Sequence, residues 1–151
     1  MSGFDPESLQ DVEAECPGFQ ARATARALTR YYNARFKPLG LTAEQFSLLV
    51  GIGATEDVTL VDLANRAGVD PTTLSRNVKN LESRDLVSAE GGRGRAGKRL
   101  ALTRSGRRLM AEAFQVWKSA KTELARRMGT EKLGTARQAM AELGKAAEPV
   151  L

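Results

Sequence analysis

Histidine is absent from the 151 residues, and cysteine occurs once, at Cys16. Without histidine there is no Ser–His–Asp triad and no imidazole base, and one cysteine cannot fill a zinc tetrahedron. No metal site is therefore expected. A lone thiol also forms no internal disulfide, which points to a reducing cytoplasm. Long apolar runs are missing too: none approaches the ~18 residues of a spanning helix, so no membrane partner is expected. The opening stretch MSGFDPESLQDVEAE is acidic and has no apolar centre, the reverse of a secretory signal. Internal repeats, low-complexity tracts and interdomain linkers are lacking. At ~100–200 residues per domain the chain reads as one domain, large enough to bury a core without staples.

What is present is charge, unevenly placed. The net charge is +5. Residues 1–15 carry Asp5, Glu7, Asp11, Glu13 and Glu15 and no base, and read as an acidic tail. Residues 76–108 carry ten basic side chains against Glu82, Asp85 and Glu90. A basic block inside a folded domain is the footprint of a polyanion binder. It lacks the bulky apolar partners of a membrane-surface helix, so nucleic acid is the expected partner.

Local signals divide the rest into helices and one hairpin. Cys16-Pro17 starts a helix that Lys37-Pro38-Leu39-Gly40 stops. Thr42 with Gln45, and Thr59 with Asp62, have the spacing of capping boxes opening two further helices. The second of these ends at Gly68, where a C′ glycine belongs. Asp70-Pro71 opens the next helix, and Leu74, Val78 and Leu81 give it one buried stripe. Leu86–Glu90 and Lys98–Leu102 then flank a glycine-rich turn and read as a β-hairpin. Thr103 caps a long helix ending at Gly129, and Thr130 caps a last one carrying Leu133, Met140 and Leu143.

The helix after Asp70 presents Thr72, Thr73, Ser75, Arg76, Asn77 and Lys79 opposite its apolar stripe, with no acid before Glu82. Hydroxyls there suit phosphates, asparagine suits adenine edges, and arginine suits guanine. An ordinary solvated face would carry more Glu–Lys pairs. Arg93, Arg95, Lys98 and Arg99 put further positive charge on the hairpin. The expected partner is therefore double-stranded DNA.

The segments Leu39-Gly-Leu-Thr-Ala-Glu-Gln-Phe46, Thr59-Leu-Val-Asp-Leu-Ala64 and Asp70-Pro-Thr-Thr-Leu-Ser-Arg-Asn-Val-Lys-Asn-Leu-Glu-Ser-Arg-Asp-Leu-Val87 together resemble the MarR family of bacterial transcription regulators. Leu102-Thr103-Arg-Ser-Gly106 is similar to that family's wing-to-helix junction. The resemblance implies a mainly α protein: a winged helix-turn-helix with a two-stranded β-wing and long terminal dimerisation helices. Residues 16–151 then form a single domain, with the winged lobe at 42–102 and dimerisation helices at 17–40 and 103–148. It further implies a homodimeric repressor bound to a palindromic operator and released by a small-molecule effector or an oxidant. One departure stands out: the family's wing carries Asp-x-Arg, and those places fall on Gly94 and Ala96 here.

Other readings compete. Gly92-Arg-Gly-Arg-Ala-Gly97 matches G-x-G-x-x-G, but it leads into a strand rather than a helix, so no cofactor is expected. Cys16 at a helix start is a candidate redox-sensing thiol, for which the family's peroxide-sensing branch implies tyrosine partners such as Tyr31 and Tyr32; the plainer reading is an incidental thiol. A thiol-dependent peroxidase acting through Cys16, and a sequence-neutral architectural DNA binder, are the alternatives to a regulator. Tyr32 and Trp117 each pair an apolar ring with a polar handle, and are the candidate effector-pocket residues.

Overall fold

A computed structural model describes residues 5–94 and 97–149. In chain order these form α1 (Ser8–Glu15), α2 (Pro17–Phe36), a 3₁₀ turn (Lys37–Leu39), α3 (Ala43–Gly53), β1 (Val58–Thr59) and α4 (Leu60–Ala67). There follow α5 (Pro71–Ser83), β2 (Val87–Glu90), β3 (Arg99–Leu102), α6 (Arg104–Met128) and α7 (Thr130–Ala146). The expected winged helix-turn-helix between long flanking helices is the fold observed.

The caps of α3, α4 and α5 work as the sequence predicts. Thr42 and Gln45 form a reciprocal capping box at α3, and Thr59 and Asp62 form another at α4. Hydrogen bonding to Thr59 is also the main reason the Asp62 carboxyl is held below its usual range. Gly68 closes α4 in the left-handed conformation, φ 62°. Asp70 then accepts from the Thr73 amide at 3.1 Å, with Pro71 in the first turn of α5.

One apolar cluster holds the lobe together. Leu49, Ile52, Leu63, Leu74, Val78 and Leu81 bring α3, α4 and α5 onto Val58, Val87 and Leu100 of the sheet. Phe36 is fully buried beneath it and stacks on Phe46, ring centroids 4.4 Å apart. Burying one such side chain contributes roughly 1.5–3 kcal/mol. The small buried residues Ala113 and Ala120 let α6 lie close to its neighbours. Tyr31 of α2 donates from its hydroxyl to the Ala120 carbonyl at 2.7 Å, tying the two long helices.

Three details depart from the expectations set by the sequence. Residues 8–15 are helical rather than tail, and Asp5-Pro6-Glu7 starts them, Asp5 accepting from the Glu7 amide at 3.0 Å. The wing hairpin β2–β3 is joined by a third short strand, giving an antiparallel sheet in the order β1-β3-β2. Val58 lies opposite Leu100 and Thr59 opposite Arg99. Gly129, not Thr130, is the residue between α6 and α7: it has φ 95° and ψ 133°, and Thr130 is already helical.

Candidate nucleic-acid interface

The apolar stripe of α5 sets the direction of everything else on that helix. Leu74, Val78 and Leu81 are 6%, 0% and 0% exposed, so the opposite side faces outward. At 100° per residue Thr72, Arg76 and Lys79 fall on that outward line, and all three are exposed. Ser75 is half-buried on one flank. Thr73 and Asn77 occupy the other flank, where they line a cavity instead of the outward face. Asn80, further along, accepts from Gln45 of α3 at 3.1 Å and locks the two helices. The six α5 residues expected to meet DNA thus divide into an outward group of three, two cavity residues on one flank, and Ser75 on the opposite flank.

The wing rises beside them. Val87 pairs with Leu102, and Ala89 with Leu100, on its buried face. The turn depends on glycine: a methyl on Gly92 (φ 70°) would lie 2.1 Å from the Gly97 carbonyl oxygen. That turn leads into β3, so the glycine run builds a hairpin and not a dinucleotide cradle. Arg93 is exposed near the tip, and Lys98 is half-buried just before β3. Arg95, expected at the interface, and Ala96 lie outside the described residues. Arg99 stands on the exposed face with Glu90 opposite it on β2. Its guanidinium pairs with Asp57 at 3.5 Å, an acid that no sequence motif singles out. Asp57 itself has φ 55°, a left-handed conformation that aspartate tolerates better than most residues.

A cavity of about 470 Å³ opens between α2, α3, α4 and α5. Leu28, Tyr32, Leu48, Leu63 and Leu74 give it apolar walls, and Thr29, Arg66 and Asn77 add polar groups. Burial, reinforced by Tyr31 and opposed by Arg35, raises the Tyr32 phenol above its ordinary pKa. Trp117 is not part of this wall. It stacks on Phe114 along α6, centroids 5.5 Å apart, with the Lys121 ammonium 5.3 Å from its ring.

Cys16 is a half-buried free thiol between α1 and α2, with no side-chain hydrogen bond capping the helix. Tyr31 lies 15 residues further along α2, about 22 Å away at 1.5 Å per residue. Neither Tyr31 nor Tyr32 reaches the thiol within one chain, so the expected tyrosine partnership does not form there. Among the described residues no helix is long and apolar enough to cross a membrane.

Helix, tight turn, outward-facing helix and basic hairpin define a winged helix-turn-helix domain. Residues 39–96 match the family model described as "MarR family". The transcriptional regulator MosR of M. tuberculosis is 35% identical, with TM-score 0.79 over 89% of this chain and 97% of that one. The chain belongs to the MarR family of transcriptional regulators. MosR in complex with DNA is similar at 34% identity and TM-score 0.77, covering 88% of this chain and 96% of that one. The transcriptional repressor CouR, bound to a 23-mer DNA duplex, shares the fold at 20% identity and TM-score 0.79, over 88% and 95% of the two chains. Comparison with curated protein sequences finds no match.

Proposed function

We propose that this chain is a sequence-specific regulator that binds a palindromic operator in double-stranded DNA as a homodimer, acts as a repressor in the cytoplasm, and is released by a small molecule. The observation that carries the reading is α5: a helix pinned by a fully apolar inner stripe, presenting Thr72, Arg76 and Lys79 outward beside a cationic wing. Arg76 is assigned to base edges, and Thr72, Lys79, Arg93 and Arg95 to phosphates or the minor groove. The DNA complex of MosR supports the same docking by likeness.

The homodimer follows from unburied apolar surface on the long helices. Phe19, Phe114, Met128, Met140 and Leu143 are 42%, 49%, 45%, 51% and 45% exposed. A two-fold pair covers such surface on both copies and sets two α5 helices roughly 34–36 Å apart, one turn of DNA. The cavity supports ligand release, because Thr73, Leu74 and Asn77 of α5 itself line it and any occupant would meet them. A ligand that fits only one pose of α5 couples its own binding to that of DNA.

The test is binding to an operator, selected by the pure protein from genomic fragments, and to a scrambled duplex across a salt series. Arg76→Ala is expected to lose about 1–3 kcal/mol of discrimination. Arg93→Ala/Arg95→Ala is expected to weaken both duplexes alike and to flatten the salt slope by about 0.9 for each phosphate no longer neutralised. An unchanged operator-to-scrambled ratio in Arg76→Ala, with a collapsed ratio in the wing variant, removes base reading from α5. With excess peroxide, consumption is expected to stop once the thiol and thioethers are oxidised, after a few equivalents per chain; sustained turnover would make the protein an enzyme instead.

A further inference from the structure

Two adjoining helices carry opposite charge, and among the described residues no ion pair joins them. The segment through α1 holds Asp5, Glu7, Asp11, Glu13 and Glu15 and no base, whereas α2 contains arginines and no acid. Arg22, Arg26 and Arg30 recur every fourth residue, so they share one face of α2, and all three are exposed. Like charges at that spacing repel and favour an anionic surface laid over them. Phe19, 42% exposed, begins the same face. Arg35 lies elsewhere, its guanidinium 3.4 Å from the centre of the Tyr31 ring.

Among the described residues no ion pair joins α1 to α2, whereas acids elsewhere do find partners, Asp57 with Arg99 and Glu123 with Arg126 and Arg127. The chain turns at Cys16, where ψ is 115°, and Gln20 braces the joint by donating to the Ala14 carbonyl at 2.8 Å. α1 meanwhile has no buried residue, and its Leu9 and Val12 are 54% and 53% exposed. Eight residues without a covered face make a marginal helix in water. Acid and apolar groups on α1 are thus matched by arginines and Phe19 on α2, but not within one chain.

We propose that α1 of a second copy lies along the Phe19–Arg30 face of α2, its carboxylates over the three guanidiniums and its Leu9 and Val12 near Phe19. The inference rests on the homodimer proposed above and gives that dimer a charged clasp, formed twice about the two-fold axis. The clasp is salt-sensitive, because its pairs are exposed.

The experiment uses two full-length variants: Asp11→Lys/Glu13→Lys/Glu15→Lys, and Arg22→Glu/Arg26→Glu/Arg30→Glu. Circular dichroism first establishes that each is folded, and milder sets, Asn or Gln for the acids and Gln for the arginines, replace any that is not. By sedimentation equilibrium at low salt, each reversed variant alone should dimerise at least about tenfold more weakly than wild type. At high salt the difference should shrink. An equimolar mixture should recover the dimer, because each chain then offers a reversed α1 or a reversed stripe to its complement. A mixture as weak as either parent overturns the clasp, since the charges would then act within one chain. Wild-type dimerisation by both reversed variants overturns it too, and if the stripe variant then loses DNA affinity, the arginines face DNA instead. A monomeric wild type would overturn the homodimer itself, a separate result.

Discussion

Gly106 packs so tightly on Leu86 that a methyl in place of its hydrogen would lie 2.0 Å from the Leu86 carbonyl oxygen. The same corner is tied by the Thr103 amide, which donates to that oxygen at 3.1 Å. The Thr103 hydroxyl donates to the Asp85 carbonyl at 2.5 Å and accepts from the Gly106 amide at 2.9 Å. This junction fixes the angle at which α6 leaves the wing.

Gly106→Ala should therefore be costly. The obstacle is backbone, which yields less readily than a side chain, and overpacking of this kind costs about 1–3 kcal/mol. Thr103→Val should lose about 1 kcal/mol through the missing cap. Calorimetry should rank both below wild type, and an unchanged Tm for Gly106→Ala would mean that the junction is soft.

Asp57→Asn should strengthen non-specific DNA binding. It removes a negative charge and frees Arg99, while asparagine keeps the left-handed backbone accessible. One additional neutralised phosphate steepens the salt slope by about 0.9. The gain should vanish in Asp57→Asn/Arg99→Ala; a gain that persists there would show that Arg99 plays no part.

Glu123 accepts hydrogen bonds from Arg126 at 2.8 Å and Arg127 at 2.7 Å, and these hold its carboxyl at about 2. An unfolded glutamate titrates near ~4.3, so the folded value is the lower one. Its contribution to stability is present above ~4.3 and is lost as pH falls toward 2. Carboxyl NMR should place its midpoint well below the other glutamates, and Arg126→Gln/Arg127→Gln should return it to the ordinary range.

Cys16→Ser should bind operator like wild type, and peroxide should affect the two proteins equally. The thiol has no second cysteine in the chain and no tyrosine within reach along α2. Release of wild type alone would establish Cys16 as the sensor.

Much of the fold was legible because its signals are local. Thr42 and Gln45, and Thr59 and Asp62, satisfy one another within a single turn, and Asp70 caps the helix that Pro71 opens, so spacing reveals them. β1 was not legible, because Val58 and Thr59 become a strand only through partners about 40 residues away. Tyr32 lies in the cavity wall and Trp117 does not, since the wall is set by how α2 meets α3, α4 and α5. The division of α5 had the same origin: periodicity identified the side opposite Leu74 and Val78, but not which flank would border a void. The Asp57–Arg99 pair, 42 positions apart, carried no local mark at all.

Gly129 has the largest reach for its size. Its φ of 95° is open to glycine and strained for any other residue, and helix stands immediately on both sides. An alanine there favours continuing the spiral, which would fuse residues 104–146 into one rod roughly 65 Å long. Met140 and Leu143 would then project beyond the body of their own subunit rather than beside it. Such a chain would exchange arms with its neighbours, forming swapped pairs or open filaments. One position thus governs whether α6 and α7 fold back as two helices or run on as one, while the DNA-reading lobe stays as it is.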